Sequence, residues 1–484
     1  MAKYDYNMIV IGGGSAGLVA SLIAAATGAK VALIEKHKMG GDCLNTGCVP
    51  SKALIQSAKV AHQMRHADHY GLKPRQPEID FKSVMDRIHN IIATIEPHDS
   101  VERFTGLGVT CFAGDARLTG PHSISFSNAD GEQSLTARSI VVATGAGPLV
   151  PPIEGLEDID YLTSDDLWQL QSLPKRLLVL GAGPIGVEMA QAFARLGAQV
   201  TLADMTPTIL YREDNDVAKI IAGCLTAEGL DIRTEYKLLR FEQCDGESTA
   251  VFDHRGEETR IAFDSTLLAF GRKANTHGFG LEELGVTLRQ NQTIDANAFL
   301  QTNVPSIYVC GDVTGPYQFT HTASHQAWYA AINALFSPIK RFKADYSVIP
   351  WATFCAPEVA RVGYNEKDAD AECIAYETTL YDMADADRAI ADSKNIGFIK
   401  VLTKPGSDKI IGATIVSENA GELINEFVIA MRHGLGLNKI LSTIHIYPTY
   451  SEANKLAAGV WRKNHVPAVA VKLSTLFHAL RRRL

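Results

Sequence analysis

Two stretches of the chain carry the same order of apolar and small residues. IVIGGGSAGLVASLIAAATGAKVALIE occupies residues 9–35 and LVLGAGPIGVEMAQAFARLGAQVTLAD residues 178–204, and the two superimpose without a gap. In each, a short apolar run predicts a buried strand, a glycine-rich turn follows, and a longer stretch predicts a helix. A glycine (Gly28, Gly197) ends the helix, a second apolar strand follows, and an acid closes it. Such strands, alternating with helices, suit a parallel sheet covered on both faces. The first copy lies in an uncharged run, Met8 to Ala29, long enough to resemble a membrane span. Its glycines cluster at 12, 13, 14 and 17, where a strand–turn–helix needs them, and a nucleotide-binding unit explains the run better.

Each turn reads G-x-G-x-x-G. Gly12 and Gly181 permit the tight turn, Gly14 and Gly183 let a pyrophosphate approach the backbone, and Gly17 and Gly186 allow close helix–strand packing. The helix N-terminus offers unpaired N–H groups to phosphate. Glu35 and Asp204 stand where a carboxylate would accept hydrogen bonds from a ribose diol. One such motif is weak evidence; two in one register, each closed by an acid, point to two dinucleotide sites. Asp204 would repel a 2′-phosphate, and the following Met205, Thr206 and Pro207 supply no cation. NADH is therefore expected over NADPH.

Composition narrows the class. A chain of 484 residues with 46% hydrophobic and 21% charged residues suits a soluble protein of several domains. A net charge of −8 gives no footprint for nucleic acid. Eight cysteines are too few for a secreted disulfide scaffold, and no secretory leader precedes the first strand, so a cytoplasmic protein is expected. Cys111, Cys224 and Cys310 suit packing, and Cys355 either packing or a third thiol.

GGDCLNTGCVPSK, residues 40–52, is different. Its C-x4-C spacing has no second pair to make a zinc site, and no resident metal is expected. Closing so short a loop in a reducing compartment is poorly motivated as a staple. A redox pair remains. Pro50 suits the first turn of a helix, which places Cys48 at its N-terminus, and Lys52 follows within a turn. Both features favour a reactive thiolate.

Spread over roughly residues 5–460, these motifs resemble the flavoprotein pyridine nucleotide–disulfide oxidoreductases, the family of dihydrolipoyl dehydrogenase, glutathione reductase and mercuric reductase. The resemblance implies FAD on the first unit, NAD(P)H on the second, and a redox-active Cys43–Cys48 disulfide. Cys48 would lie beside the flavin and Cys43 would face the acceptor. Lys52 would sit near the flavin N5 edge, paired with Glu188. VVATG (141–145), with Thr144 and Gly145, resembles the crossover out of the FAD domain. AFGRKANT (269–276), with Gly271, resembles the return. SIYVCGDVTG (306–315), with Gly311 and Asp312, resembles the second FAD motif, Asp312 facing the ribityl chain.

The implied fold is α/β: two Rossmann-like dinucleotide-binding domains plus a C-terminal α+β dimerisation domain, assembled as a homodimer. The FAD domain would span 1–150 and 272–343, the NAD(P)H domain 151–271, the dimerisation domain 344–465, and a tail 466–484. The implied reaction passes electrons from NADH through FAD and the disulfide to a disulfide or another thiol-reactive acceptor.

Two features depart from the family pattern. Its disulfide reductases carry H-P-x-x-x-E, with the histidine shuttling protons; here IHIYPTYSEANK (444–455) puts Tyr447 in that place, ahead of Pro448 and Glu452. A phenol has a reference pKa near 10, far from ideal for that task. His445, two residues earlier, is the other candidate proton carrier. Mercuric reductases share the tyrosine, but their C-terminal cysteine pair is missing: the last cysteine is Cys373. Mercuric ion reduction, dihydrolipoyl dehydrogenation, NADH:quinone reduction at a membrane and a non-enzymatic redox sensor stay open as alternatives. The tail carries Val469, Leu473, Leu476, Leu480 and Leu484 at helical spacing, with Lys472 and Arg481–Arg483 between them. Such a helix suits either peripheral contact of residues 467–484 with an anionic membrane or packing on its own dimer.

Overall fold

The computed structural model describes residues 3–128, 131–244 and 246–483; Leu484, the last apolar position of the tail pattern, lies outside them. Chain contacts gather these residues into two compact units. One comprises Met1–Asp68, Lys73–Met205 and Leu230–Asp345, the other His69–Leu72, Thr206–Gly229 and Tyr346–Leu484.

The first unit contains two parallel sheets built to one plan. In the first, strands Val109–Ala113, Val31–Glu35, Tyr6–Ile11, Gly131–Val142 and Ile307–Val309 lie side by side, all parallel. In the second, Asp231–Thr234, Gln199–Asp204, Arg176–Leu180 and Ser265–Leu268 repeat the order of the first four, and Tyr161–Leu162, which precedes them all in the chain, lies parallel at the edge. Met8, Ile9 and Val10 are fully buried, as strands covered on both faces must be. The uncharged run from Met8 resolves into a strand and helix Ser15–Ala26, and no helix among the described residues is long and apolar enough to cross a membrane.

The repeat has a steric cause. Helices Ser15–Ala26 and Pro184–Leu196 press against the turns that precede them. A Cβ at Gly17 would lie 1.7 Å from the Gly12 carbonyl oxygen, and one at Gly186 would lie 1.8 Å from that of Gly181. Only glycine fits there.

The second unit is α+β. Its five strands, Pro350–Thr353, Glu358–Gly363, Ile410–Ser417, Phe398–Thr403 and Glu377–Asp382, pair antiparallel in that order. Ile399, Val401, Ile415, Phe427, Ala457 and Trp461 lie in one buried cluster that joins the sheet to helices Ala420–Arg432 and Glu452–Asn464. Charges are buried here too. Lys400, with a side chain 3% exposed, lies 3.0 Å from Asp214, 2.6 Å from Asp216 and 2.8 Å from Glu366. Arg361 pairs with Glu213 and Asp368 and lies over the Trp351 ring, whose indole N–H donates to Glu213. The segment 206–229 thus reaches the antiparallel sheet through paired charges.

Helix Ala468–Arg481 forms the tail, and its large apolar side chains stand 52–67% exposed. Cys310 and Cys355 are buried, and burial pushes the Cys310 thiol up to about 12, out of reach of thiolate chemistry.

Candidate active site

The thiol loop meets the first glycine turn through backbone. The Gly40 N–H donates to the Gly13 carbonyl at 2.9 Å, and a Cβ added to Gly41 would lie 2.7 Å from the Gly14 Cα. Glycine faces glycine, so the thiol loop starts directly against the first phosphate-type turn. From there a short helix, Gly41–Asn45, carries Cys43, and helix Cys48–Arg65 begins at Cys48 itself.

The thiols lie close enough to share a hydrogen bond. The Cys43 proton held toward Cys48 draws the Cys48 thiol down to about 6, helped by Thr320 and the Lys52 charge against burial and Glu188. The same hydrogen bond, with burial, pushes Cys43 up. The shared hydrogen bond therefore favours the negative charge on Cys48 and the proton on Cys43. Lys52 Nζ stands 2.9 Å from Glu188 Oε2; the carboxylate is 7% exposed and comes from the second glycine turn's helix. Glu188 is a buried partner, not a surface charge.

The residues assigned to cofactors form cradles of the right chemistry. A Cβ at Gly183 would meet nothing within 4 Å, and at Gly14 only Gly41, so both turns leave open backbone for a pyrophosphate. Neither helix N-terminus is capped by a side chain. Each closing acid holds its own turn: Glu35 accepts from the Gly13 N–H at 2.5 Å and Asp204 from the Ala182 N–H at 2.6 Å. Thr144 and Gly145 are tied to Asn275 by three hydrogen bonds, and Arg272–Ala274, next to Gly271, pairs with strand Ala146–Pro148. Gly311 donates to the Gln326 side chain, and burial pushes the neighbouring Asp312 carboxyl up. These residues fit two dinucleotides.

Sequence reasoning missed three groups. Arg272 pairs with Asp42, the residue before Cys43, and its Nε lies 3.4 Å from Asp312. Arg272 stood inside the quoted AFGRKANT motif, a cation beside a predicted crossover glycine. Thr320, whose hydroxyl oxygen is 3.4 Å from the Cys48 sulfur, had no spacing rule to announce it.

The remaining candidates belong to the second unit. Tyr447 is 64% exposed and its hydroxyl donates to Asp387 at 2.9 Å, which pushes the phenol up from its ordinary value. His445 points inward. Its side chain is 7% exposed, with one ring nitrogen 3.1 Å from the Thr443 carbonyl and the other 2.9 Å from Glu426, itself bonded to Asn454. Glu452 opens helix Glu452–Asn464.

Comparison with known proteins agrees with this geometry. The model of a family described as pyridine nucleotide-disulphide oxidoreductase matches residues 6–327, and that of its dimerisation domain matches residues 349–458. A mercuric reductase of Staphylococcus aureus is 32% identical over 95% of this chain and 83% of its own. A dihydrolipoyl dehydrogenase of Chlamydia trachomatis is 32% identical over 97% of this chain and 98% of its own. Among solved structures, a Cu(II) complex of the HOCl-induced flavoprotein disulfide reductase RclA from Escherichia coli superimposes with a TM-score of 0.84 at 27% identity, over 95% of this chain and 99% of that one.

Proposed function

The chain belongs to the pyridine nucleotide-disulphide oxidoreductase family, and we propose that Cys43 and Cys48 carry its electrons from NADH to a thiol-reactive acceptor. The observation that carries this reading is the thiol pair: Cys48 begins a helix, Cys43 lies on the short helix before it, and the loop that bears them starts directly against the first glycine turn. The family is FAD-dependent and uses pyridine nucleotides. When bound, FAD supplies hydride acceptance from the nicotinamide and electron delivery to a disulfide.

The chain's own residues divide the remaining work. The first turn and Glu35 would hold FAD, with Asp312 near its ribityl chain; the second turn and Asp204 would hold NADH. Asp204 disfavours a 2′-phosphate by charge, which supports NADH over NADPH. Lys52, neutralised by Glu188, places a cation beside Cys48 without leaving a bare charge in a half-buried site. Cys43, the partner that holds the proton, attacks the acceptor once that proton has passed to Cys48.

Position 447 bears on the acceptor. A disulfide acceptor needs a proton for its departing thiolate, and Tyr447, held protonated by Asp387, is a poor shuttle at neutral pH. His445 has acceptors facing both ring nitrogens within its own unit. A soft metal ion, bound by two sulfurs and reduced to the metal, needs no such proton. This favours a metal ion over a disulfide.

The test is a dithionite titration of the holoenzyme, with NADH and NADPH turnover compared on Hg(II), Cu(II) and small disulfides. Wild type should take up about four electrons per flavin and the C43S/C48S variant about two. NADH should surpass NADPH at least roughly tenfold in kcat/KM. Equal electron uptake, with turnover of every acceptor unchanged in C43S/C48S, would make the thiols bystanders.

A further inference from the structure

We propose that Thr320 is a catalytic residue, its hydroxyl donating to the Cys48 sulfur whenever that sulfur is anionic; this rests on Cys43 and Cys48 being the redox pair. The Thr320 hydroxyl oxygen lies 3.4 Å from the Cys48 sulfur. A thiolate has only lone pairs to offer, so in the anionic state the hydroxyl must be the donor. Thr320 is the first residue of helix Thr320–Phe336, and Cys48 is the first of helix Cys48–Arg65. Neither N-terminus is closed by a capping side chain. Two positive helix ends therefore converge on one sulfur, with a hydroxyl at the meeting point.

The nearby charges explain why a neutral donor matters here. Lys52 favours the thiolate, but its partner Glu188 opposes it from the same ion pair. The pair's net field at the sulfur is thus smaller than that of a lone ammonium. A hydroxyl has no counter-charge to subtract.

The experiment uses the C43S holoenzyme, in which Cys48 is the only thiol of the pair. Its thiolate is followed against pH by the long-wavelength thiolate-to-flavin absorbance, with Thr320 intact, as T320V and as T320S. T320V keeps the shape and removes the donor; T320S keeps the donor and removes a methyl group. Loss of one hydrogen bond to a charged sulfur should raise the T320V midpoint by about one pH unit, roughly a tenfold loss of thiolate below the midpoint. T320S should stay within about 0.3 unit of the parent. An unmoved T320V, or T320S and T320V displaced together, would overturn the role of the hydroxyl. Absence of the band in C43S with Thr320 intact would instead sink the placement of Cys48 beside the flavin, a failure of the proposed function itself.

Discussion

At the scale of single residues, the thiolate at Cys48 is set by opposing neighbours. Lys52 lowers its pKa and Glu188 raises it, from two ends of one 2.9 Å ion pair. Lys52→Met should therefore move the Cys48 midpoint up and Glu188→Gln should move it down, each by about half a pH unit in the same C43S titration. Shifts of the same sign would mean that the pair acts through packing. The thiol and its lysine were legible in the sequence, because Pro50 marks the first turn of a helix that puts Cys48 at its N-terminus and Lys52 within a turn, whereas the pairing with Glu188 came from the family resemblance. Thr320 and the Asp42–Arg272 pair were not, since they join segments 272 and 230 residues apart by contacts that no local pattern encodes. The inward turn of His445 was equally hidden. The sequence offered it, two residues before Tyr447, as a candidate proton carrier, while Glu426 and Thr443 engage both of its ring nitrogens.

At the scale of one element, helix Glu452–Asn464 shows how a histidine can end a helix. His465 follows it, and its Nδ1 lies 2.8 Å from the Trp461 carbonyl, while Nε2 lies 2.8 Å from Glu377. The ring stacks on Trp461 at 4.2 Å. That carbonyl first, and then Glu377, hold the His465 pKa above its ordinary value, as a cation at a negative helix end should be. A raised pKa gives stability that is complete below the unfolded value near 6.5 and disappears as pH rises through the folded one. Thermal melting of wild type between pH 6 and 8 should then lose about 1 °C that His465→Gln does not lose. Parallel slopes for the two proteins would remove the histidine from the account. Nothing in the sequence separated this histidine from an ordinary surface one; its partner Glu377 comes from a strand 88 residues earlier.

At the scale of the whole molecule, the internal repeat made two parallel sheets legible before any coordinates, because steric needs for glycine recur at fixed spacing. The allegiance of segment 206–229 was not legible. It lies between strands of the second parallel sheet in sequence, yet it belongs to the compact unit that contains the antiparallel sheet. Its Asp214 and Glu213 neutralise Lys400 and Arg361, which are 3% and 4% exposed. Without the segment, Lys400 would keep Glu366 but lose Asp214 and Asp216, and Arg361 would keep Asp368 but lose Glu213, each lost hydrogen bond to a charged group costing about 1.5–3 kcal/mol. Residues 346–484 produced alone should accordingly show no cooperative unfolding transition in denaturant, by circular dichroism. A sharp transition in that fragment would show that Glu366 and Asp368 suffice for the buried cations.

The contact between Gly14 and Gly41 is a joint of bare backbone, with no side chain on either face. Such a joint has no adjustable part. Replacement of either residue offers nothing smaller and, at Gly41, nothing larger that fits, so the spacing between the cofactor turn and the thiols is inherited whole or lost. Any tuning of the thiols must then be written elsewhere, in replaceable side chains such as Thr320, Lys52 and Glu188. The fold thereby separates a fixed placement of the thiols from a chemistry that single substitutions can retune.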